Sequence, residues 1–402
     1  MTLRKLKLGY YSLAALNTLA TSYYFNYLFF FLRDRFGFGD RENLWTSALH
    51  GLLYAFAAWQ CGKFAQRRGF FTSLKVGFAG LSLAMLAGAL LDSVAGMIAV
   101  LICYTIVLLF TWPALEALVT EKEPPAVVPR MVGIYNTTWS AAAALAYFTG
   151  GQLYETLGRG AVFWLPGTLF LGQFCLTLWL SRQAAKVVVP PIQPGEAAPA
   201  HPEAAAFRSS VSPAVFLKLA WLANPFAYVA VNTLFAVVPG LAQKLGLSPA
   251  KVGLFCSVWL FGRLAAFVLL WRWTGWHYRF RWLAGGFAVL IASFGLILLA
   301  HQLWIVVLAQ IFFGLATGLI YYSSLFYSMD AGDTKGEHGG LHEAAIGIGI
   351  FAGPAVGAAA LKFFPQRPDA GTLAVTLLLV AGFCALLLIW GRARFSRPVT
   401  GT

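Results

Sequence analysis

Long apolar segments alternate along the chain with short stretches that hold most of the charged residues. Each segment is close to the roughly 20 residues that an α-helix needs to cross the hydrocarbon core of a bilayer. The apolar runs are continuous, which favours helices over the alternating strands of a membrane barrel. We therefore predict twelve transmembrane spans, numbered here in chain order: 9–32, 44–64, 72–91, 95–119, 131–153, 161–181, 213–240, 249–272, 282–300, 303–328, 339–362 and 371–391.

The one long polar break lies between spans 6 and 7. Residues 186–212 include the segment VVVPPIQPGEAAPAHPEAAA, which is rich in Pro and Ala. Such a segment cannot continue a helix, because proline lacks the backbone N–H. We expect a first six-helix bundle over residues 1–183, a cytoplasmic linker over 184–212 and a second six-helix bundle over 213–402.

The composition narrows the class of protein. Hydrophobic side chains make up 59% of the chain and charged ones 11%, with a mean hydropathy of +0.71. Soluble domains carry about 25% charged residues, so a soluble globular domain, a disordered chain, a coiled coil and a disulfide scaffold are excluded. The five cysteines have no metal-ligand spacing. We expect an all-α integral membrane protein without a metal or another cofactor.

The net charge of +14 is unevenly distributed. In the predicted topology, 20 of the 29 Lys and Arg residues lie on the side of the two termini. This asymmetry follows the positive-inside rule and predicts cytoplasmic termini rather than binding to nucleic acid. The short loops favour the inner membrane of a bacterium. Arg4, Lys5 and Lys7 lead into a full-length span without a signal-peptide cleavage site.

The two halves of the chain repeat one another. Gly-Ile-Tyr-Asn begins at position 133 in span 5, and Gly-Leu-His-Glu begins 207 residues later in span 11. Gly150 and Gly357 recur at the same offset. Two homologous bundles are the arrangement expected of an alternating-access transporter, whose binding site lies near the middle of the membrane between the halves.

Two motifs resemble those of a known family. Residues 62–69 read Gly-Lys-Phe-Ala-Gln-Arg-Arg-Gly and resemble the motif G-x-x-x-D-R-x-G of the major facilitator superfamily, with Gln66 where the family has Asp. Residues 349–358 in span 11, GIFAGPAVGA, are similar to the G-x-x-x-G-P-x-x-G-G pattern that antiporters of this family carry in span 5. The resemblance covers nearly the whole chain. It implies two pseudo-symmetric six-helix bundles, with spans 1, 4, 7 and 10 around a central cavity.

Polar and aromatic residues recur on those four spans at spacings of three, four and seven, so they share a helix face. Facing lipid they would have no hydrogen-bonding partner, which favours an inward orientation. They either contact the solute or bond one helix to another. The predicted solute-binding residues are Asn17, Thr21, Tyr24, Trp112, Asn224, Tyr228, Asn232, Gln310, Thr317, Tyr321 and Ser324.

Arg263 lies about midway along span 8. An ionisable side chain at this depth is costly and marks a candidate functional site. No acidic residue lies within one helical turn of it in the sequence. We expect Arg263 either to attract an anionic group of the solute or to make a structural contact where the bundles meet.

Glu116, His342 and Glu343 fall about one turn inside the predicted cytoplasmic boundary. A carboxylate there is a candidate proton carrier, since drying of the site on closure favours its protonated form. The alternative is a salt-bridge latch at the inner gate, with Arg67 supplying the cation. His342 can share either role because histidine titrates near neutral pH. His50 in span 2 is expected to be a hydrogen-bonded packing residue.

Pro113 and Pro354 lie within spans 4 and 11. Proline removes one backbone hydrogen bond, so we expect a kink at each position. Such kinks are either hinges for the movement of the bundles or static packing features.

Taken as a whole, the sequence predicts a secondary transporter of small polar organic solutes, anionic ones if Arg263 binds them. We expect a monomer with protons as the coupling ion, working by symport or antiport. Drug or metabolite efflux by proton antiport and facilitative uniport are the alternatives. No G-x-x-x-x-G-K-[ST] motif is present, which argues against primary pumping. A membrane enzyme or a non-transporting sensor fits less well, because neither clustered catalytic groups nor an appended output domain is present.

Overall fold

The computed structural model describes residues 2–124, 127–187, 211–330 and 337–395, without the side chains of residues 337–342. Helices and no strands form in these described ranges. All twelve predicted spans are present, which confirms the all-α membrane fold. The predicted linker over 184–212 falls mostly outside the described residues.

The helices of the first half extend a few residues beyond most of the predicted spans. Spans 1 to 6 are Leu3–Phe36, Asp40–Arg68, Phe70–Leu90, Val94–Leu108 with Trp112–Thr120, Val128–Leu157 and Ala161–Ala184. Spans 7 to 12 are Pro213–Lys244, Pro249–Cys256 with Val258–Arg272, Phe280–Leu299, Leu303–Asp330, Glu337–Phe363 and Ala370–Phe395. Spans 4 and 8 thus each consist of two helical segments.

Three spans are distinctly less apolar than the rest. Within the described residues, nine spans are long and apolar enough to cross a membrane by length and composition. Spans 1, 2 and 5 do not reach this level of apolar composition. These three helices bury polar side chains such as Asn17, Ser47 and Asn136. They therefore depend on protein neighbours, since lipid offers no hydrogen-bonding partner.

Burial separates central from peripheral helices. In the most apolar stretch of span 7, 72% of the residues are buried, against 22% in span 12. Span 7 therefore lies inside the molecule, whereas span 12 presents most of its apolar surface outward, as a lipid-facing helix does. The site described below accordingly lies around span 7.

Span 4 breaks just before Pro113. Its first segment ends at Leu108, and the next one begins at Trp112. Pro113 has no N–H to donate to the carbonyl of Leu109, so the i→i−4 ladder is interrupted there. Asn17 of span 1 donates to Thr111 Oγ1 at 3.2 Å beside this break. The predicted proline kink in span 4 is confirmed as a break, whereas span 11 runs through Pro354 as one continuous helix.

The break in span 8 has no proline and was not predicted. Ser257 separates the two segments, and the nearby carbonyl of Phe255 accepts a hydrogen bond from Gln310 Nε2 at 2.8 Å. Gly314 of span 10 lies so close that a side chain there would overlap the carbonyl of Trp259. The amide of Gln310 thus supplies a bond to the backbone where the helix is interrupted.

The two bundles meet along two interfaces, named here by their spans. At the 2/11 interface, a side chain at Gly51 would overlap the backbone of Ile350 and Phe351. At the 5/8 interface, a side chain at Gly151 would overlap the carbonyl of Pro249. Glycine is required at both places because the two backbones approach too closely for a Cβ atom.

An even number of spans returns the chain to the end where it began, here called the terminal end. At the opposite end the bundles are joined by polar contacts. Arg33 pairs with Asp40 at 3.1 Å and also donates to Gln243 of span 7. The carboxylate of Glu155 accepts a hydrogen bond from the backbone N–H of Ala250 at 2.9 Å. These contacts hold spans 1 and 7, and spans 5 and 8, together away from the termini.

Candidate functional site

Eight side chains from seven spans form a group between the bundles, here called the central cluster. Contacts and electrostatic interactions connect its members, and both main interfaces contribute to it. The central cluster comprises Tyr54, Glu116, Tyr135, Trp139, Tyr228, Arg263, Tyr321 and Glu343.

Arg263 provides the positive charge of the central cluster, and its side chain is 8% exposed. Its guanidinium carbon lies 4.5 Å from the ring centre of Trp139 on span 5, and 5.6 Å from that of Trp259. Stacking on an aromatic face partly compensates a buried cation. Among the described residues, no carboxylate forms an ion pair with Arg263, and its buried Nε atom has no hydrogen-bond partner.

The indole of Trp139, on which Arg263 stacks, is itself held in place. Trp139 Nε1 donates to Asn136 Oδ1 at 2.8 Å, one helical turn earlier on span 5. The indole also contacts the rings of Tyr321 and Phe267, each at 5.6 Å between ring centres. The cation therefore lies on an oriented aromatic platform at the 5/8 interface.

The negative charges lie toward the 2/11 interface. Tyr54 of span 2 donates to Glu343 Oε2 of span 11 at 2.6 Å. Glu116 of span 4 interacts electrostatically with Glu343. Neither carboxylate pairs with a cation in the described part of the chain, where the ion pairs all lie elsewhere.

Two tyrosines interact with charges of both signs. Tyr228 interacts electrostatically with both Arg263 and Glu343, and Tyr321 interacts with Arg263, Glu116 and Glu343. Both tyrosines and both carboxylates are half-buried, so each keeps part of its surface accessible. The arrangement combines a cation, hydroxyl groups and partly accessible carboxylates, which suits the binding of a polar organic molecule.

Five of the residues predicted from the sequence thus come together: Glu116, Tyr228, Arg263, Tyr321 and Glu343. Other predicted residues lie apart from this group. Tyr24 is fully buried within the first bundle, where its ring packs against those of Tyr104 at 4.4 Å and Phe163 at 6.0 Å. Asn17 is also fully buried and bonds span 1 to span 4. These two residues join helices.

Several other predicted residues bond to nearby backbone. Thr21 donates to the carbonyl of Asn17 at 2.8 Å, Thr317 to that of Gly314 at 3.0 Å, and Asn232 to that of Tyr228 at 3.2 Å. Gln310 bonds to span 8, as described above. Small polar side chains in helices readily satisfy themselves in this way, so a polar stripe alone does not distinguish a binding surface.

The remaining predicted solute ligands are Trp112, Asn224 and Ser324. Trp112 is half-buried against the hydrophobic core. Asn224 is buried, and neither atom of its amide has a partner among the described residues. Ser324 is fully buried. Their predicted roles stay predictions.

The predicted gate residues lie in different places. The side chain of His342 lies outside the described residues. Arg67 is exposed at the end of span 2, thirteen residues from Tyr54 and therefore roughly 20 Å away along the helix. His50 is buried and its Nδ1 shares a hydrogen bond with Thr105 Oγ1 at 2.8 Å, as expected for a packing residue.

The sequence reasoning missed Tyr54, Tyr135 and Trp139. All three lie on spans 2 and 5, whereas the predicted polar stripes lie on spans 1, 4, 7 and 10. One signal was available, because Tyr135 and Asn136 belong to the repeated segment that aligns with Glu343. Among the described residues, no three side chains of His, Cys, Asp and Glu come together to hold a metal ion.

Comparisons with known proteins agree with this architecture. The chain resembles the crystal structure of a bacterial homologue of the human lysosomal transporter Spinster in an inward-facing, unoccupied conformation. That likeness has a TM-score of 0.63 and 14% identity, and it covers 96% of this chain and 95% of the other. The chain also resembles the crystal structure of a mutant of the nucleoside transporter NupG. That likeness has a TM-score of 0.70 and 12% identity, and it covers 96% of this chain and 99% of the other. At such identities the likeness establishes the fold alone.

No curated protein matches the chain significantly in sequence. The family model described as Major Facilitator Superfamily, however, matches residues 11–354, which is most of the chain. The chain therefore belongs to the major facilitator superfamily and is a multi-pass membrane transporter with the twelve-helix fold of that family.

Proposed function

We propose that the protein is a secondary transporter that moves a small polar organic solute with an anionic group, coupled to protons, by alternating access. One observation carries this proposal: a buried arginine and two carboxylates lie between the two bundles without ion-pair partners among the described residues. In the transporter fold, this is where a solute is exposed to one side of the membrane and then to the other.

The first step of the proposal concerns the buried cation. Removing a guanidinium from water costs several kcal/mol unless a partner compensates it. Stacking on Trp139 supplies part of that compensation and leaves the planar hydrogen-bond donors of Arg263 for another group. A carboxylate or phosphate of the solute matches the forked geometry of the guanidinium.

The second step concerns the proton. Tyr54 and Glu343 belong to different bundles, so their hydrogen bond must break when the 2/11 interface opens around them. The electrostatic environment of Glu343 then changes with the conformation, and so does its affinity for a proton. Glu116 lies within electrostatic range and can share that proton. The same hydrogen bond acts as the latch considered from the sequence, although the donor is a tyrosine and not an arginine.

The third step concerns the conformation. The contacts of Arg33 with Gln243 and of Glu155 with Ala250 close the end opposite the termini. We place the termini in the cytoplasm and the protein in the inner membrane of a bacterium, because 20 of the 29 basic residues lie on the terminal side. The described conformation is then closed toward the outside. We further propose bundles over residues 1–183 and 213–402, joined by a cytoplasmic linker, in a monomer.

The experiment that tests this function is a solute screen by thermal stabilisation of the purified protein, since a ligand of the folded state raises the melting temperature. Arg263→Ala is screened beside Arg272→Ala, which removes an exposed arginine from the same span. We expect anionic solutes to stabilise the wild type and Arg272→Ala but not Arg263→Ala. Equal stabilisation of all three proteins would contradict a role for Arg263 in binding.

Solutes found in that screen are then tested in proteoliposomes. We expect uptake of a labelled solute to depend on an imposed proton gradient. An inward proton gradient should drive uptake by symport, and an outward proton gradient should drive uptake by antiport. Uptake that responds only to the solute gradient would instead favour the uniporter. Binding without any movement across the membrane would overturn the transport proposal for that solute.

A further inference from the structure

We propose that the solute is zwitterionic, with its anionic group at Arg263, its cationic group at Glu343 and Glu116, and one proton carried with it. This inference rests on the transport function proposed above and specifies the class of substrate. It follows from the way in which the central cluster separates its charges.

The opposite charges of the central cluster are kept apart. Arg263 stacks on Trp139 at the 5/8 interface, whereas Glu343 bonds to Tyr54 at the 2/11 interface. No ion pair joins the two sides among the described residues. Tyr228 interacts electrostatically with both sides, through Arg263 and through Glu343. The central cluster therefore has a positive side and a negative side.

Each side favours a different functional group. The guanidinium of Arg263 has only hydrogen-bond donors to offer, and ionised carboxylates have only acceptors. A solute with an anionic group alone leaves the carboxylates without a partner, and one with a cationic group alone leaves Arg263 without one. A molecule that carries both groups satisfies both sides at once, which lowers the cost of enclosing charges in a dry site.

The charge balance also indicates how many protons accompany the solute. The enclosed side chains contribute one positive and two negative charges when all are ionised. A zwitterion adds no net charge, so a single proton on the carboxylate pair makes the closed site neutral. A monoanionic solute requires two protons for the same balance, and a monocationic solute requires none. The class of solute and the number of protons are therefore linked.

The side of the central cluster that holds Arg263 is aromatic. The rings of Trp139, Phe267 and Tyr321 meet one another at 5.6 Å between centres, at the side of the site that holds Arg263. Aromatic surfaces of this kind contribute by contact with an apolar or planar body. An amino acid with a hydrophobic side chain combines such a body with the two charges.

The test uses matched sets of compounds that share one carbon skeleton. Purified wild-type protein is titrated with L-phenylalanine, 3-phenylpropionate and phenethylamine, and with L-leucine, 4-methylpentanoate and 3-methylbutylamine, while the melting temperature is recorded. We expect a zwitterion to stabilise the protein at a concentration about tenfold or more below either of its singly charged analogues, because each analogue loses one charged pair.

The outcomes separate this inference from the proposed function. Stabilisation by an acid at least as strong as by its zwitterion overturns the zwitterion inference and leaves the anionic solute of the proposed function in place. Stabilisation by an amine that equals its zwitterion overturns both. No stabilisation by either zwitterion overturns the inference as stated for hydrophobic amino acids, and the broader screen then decides on the proposed function.

Two variants test the assignment of the charged groups. In Arg263→Ala, the zwitterion should bind no better than its amine analogue, whereas in Glu343→Gln it should bind no better than its acid analogue. Arg272→Ala should keep the discrimination of the wild type. The melting temperature of each variant without ligand shows whether the protein is folded. A folded Arg263→Ala variant that still prefers the zwitterion over the amine contradicts the assignment.

Discussion

The two interfaces between the bundles use related helices for different chemistry. At the 2/11 interface, glycine brings the backbones together and Tyr54 bonds to Glu343. At the 5/8 interface, the repeat position equivalent to Glu343 is Asn136, which orients Trp139 beneath Arg263. One interface thus holds a group that can release a proton, whereas the other holds a cation that remains charged at all physiological pH values.

This difference separates two tasks that a coupled transporter must perform. A permanent charge on a rigid platform is suited to binding, because its state does not change with pH. A carboxylate that loses its tyrosine partner when the interface opens is suited to coupling. The repeated sequence supplies the same scaffold twice, and the substitutions in each copy determine what that scaffold does.

The largest expected effect concerns the packing of the 2/11 interface. Gly51→Ala places a methyl group against the backbone of Ile350 and Phe351, which has little freedom to move. Overpacking of this kind costs about 1–3 kcal/mol, so we expect a clear fall in melting temperature. Gly62→Ala, on the same helix, is the control, because the added methyl group would meet no neighbouring atom within 4 Å. This substitution should leave the melting temperature unchanged or raise it slightly. Equal melting temperatures for the two variants would argue against the close approach.

The next effect concerns the 5/8 interface. Arg263→Lys keeps the charge but loses the planar fork and the broad contact with Trp139. Cation–π contacts are worth about 0.5–2 kcal/mol, so we expect solute affinity to fall by roughly 3- to 30-fold, measured by ligand-induced stabilisation. An unchanged affinity would mean that only the charge matters and that the stacked geometry does not.

A smaller effect is expected one step away from the cation. Asn136→Ala removes the acceptor of the Trp139 N–H, so the indole loses its orientation while its contact surface remains. The loss of one such hydrogen bond costs about 0.5–1.5 kcal/mol, and solute affinity should fall by a few-fold. The pH dependence of transport should stay that of the wild type, since Asn136 belongs to the 5/8 interface. A changed pH profile would contradict the claim that the two interfaces perform separate tasks.

The smallest effect lies outside both interfaces. Arg35 donates to Asp92 at the end opposite the termini, and this hydrogen bond holds the pKa of the Asp92 carboxyl below its usual value. A lowered pKa stabilises the fold at neutral pH, and that contribution is lost as the pH falls through the lowered pKa. Because both side chains are exposed, we expect the melting temperature of Asp92→Asn to match the wild type within error at pH 7. A large shift in the melting temperature of this variant would mean that surface pairs contribute as much to stability as the interfaces do.

Much of the fold follows from patterns that depend on local physics. Continuous apolar segments predict the spans, and Pro113 predicts the break in span 4. Arg263 and Glu343 stood out because charges are rare at that depth. Tyr54 and Trp139 did not stand out, because a tyrosine or tryptophan in a membrane helix is equally compatible with packing. Only the tertiary structure brings Tyr54 to Glu343, and Trp139 to Arg263, across helices that are distant in the chain.

The polar stripes show what helical spacing alone does not determine. Helical spacing correctly groups Asn17, Thr21 and Tyr24 along span 1, but it does not indicate which neighbour they face. Thr21 bonds to its own helix and Tyr24 packs inside the first bundle. The break at Ser257 was equally hidden, because the hydrogen bond beside it comes from Gln310 in another span.

The central claim is that Glu343 carries the coupled proton and that Arg263 at the 5/8 interface binds the anionic group of the solute. The most direct measurement records the internal pH of proteoliposomes when a gradient of a transported solute is applied. We expect wild-type protein and Glu121→Gln, which changes an exposed glutamate, to move protons with the solute. Glu343→Gln should exchange labelled solute across the membrane without any change in internal pH. Proton movement by Glu343→Gln equal to that of the wild type would contradict the claim.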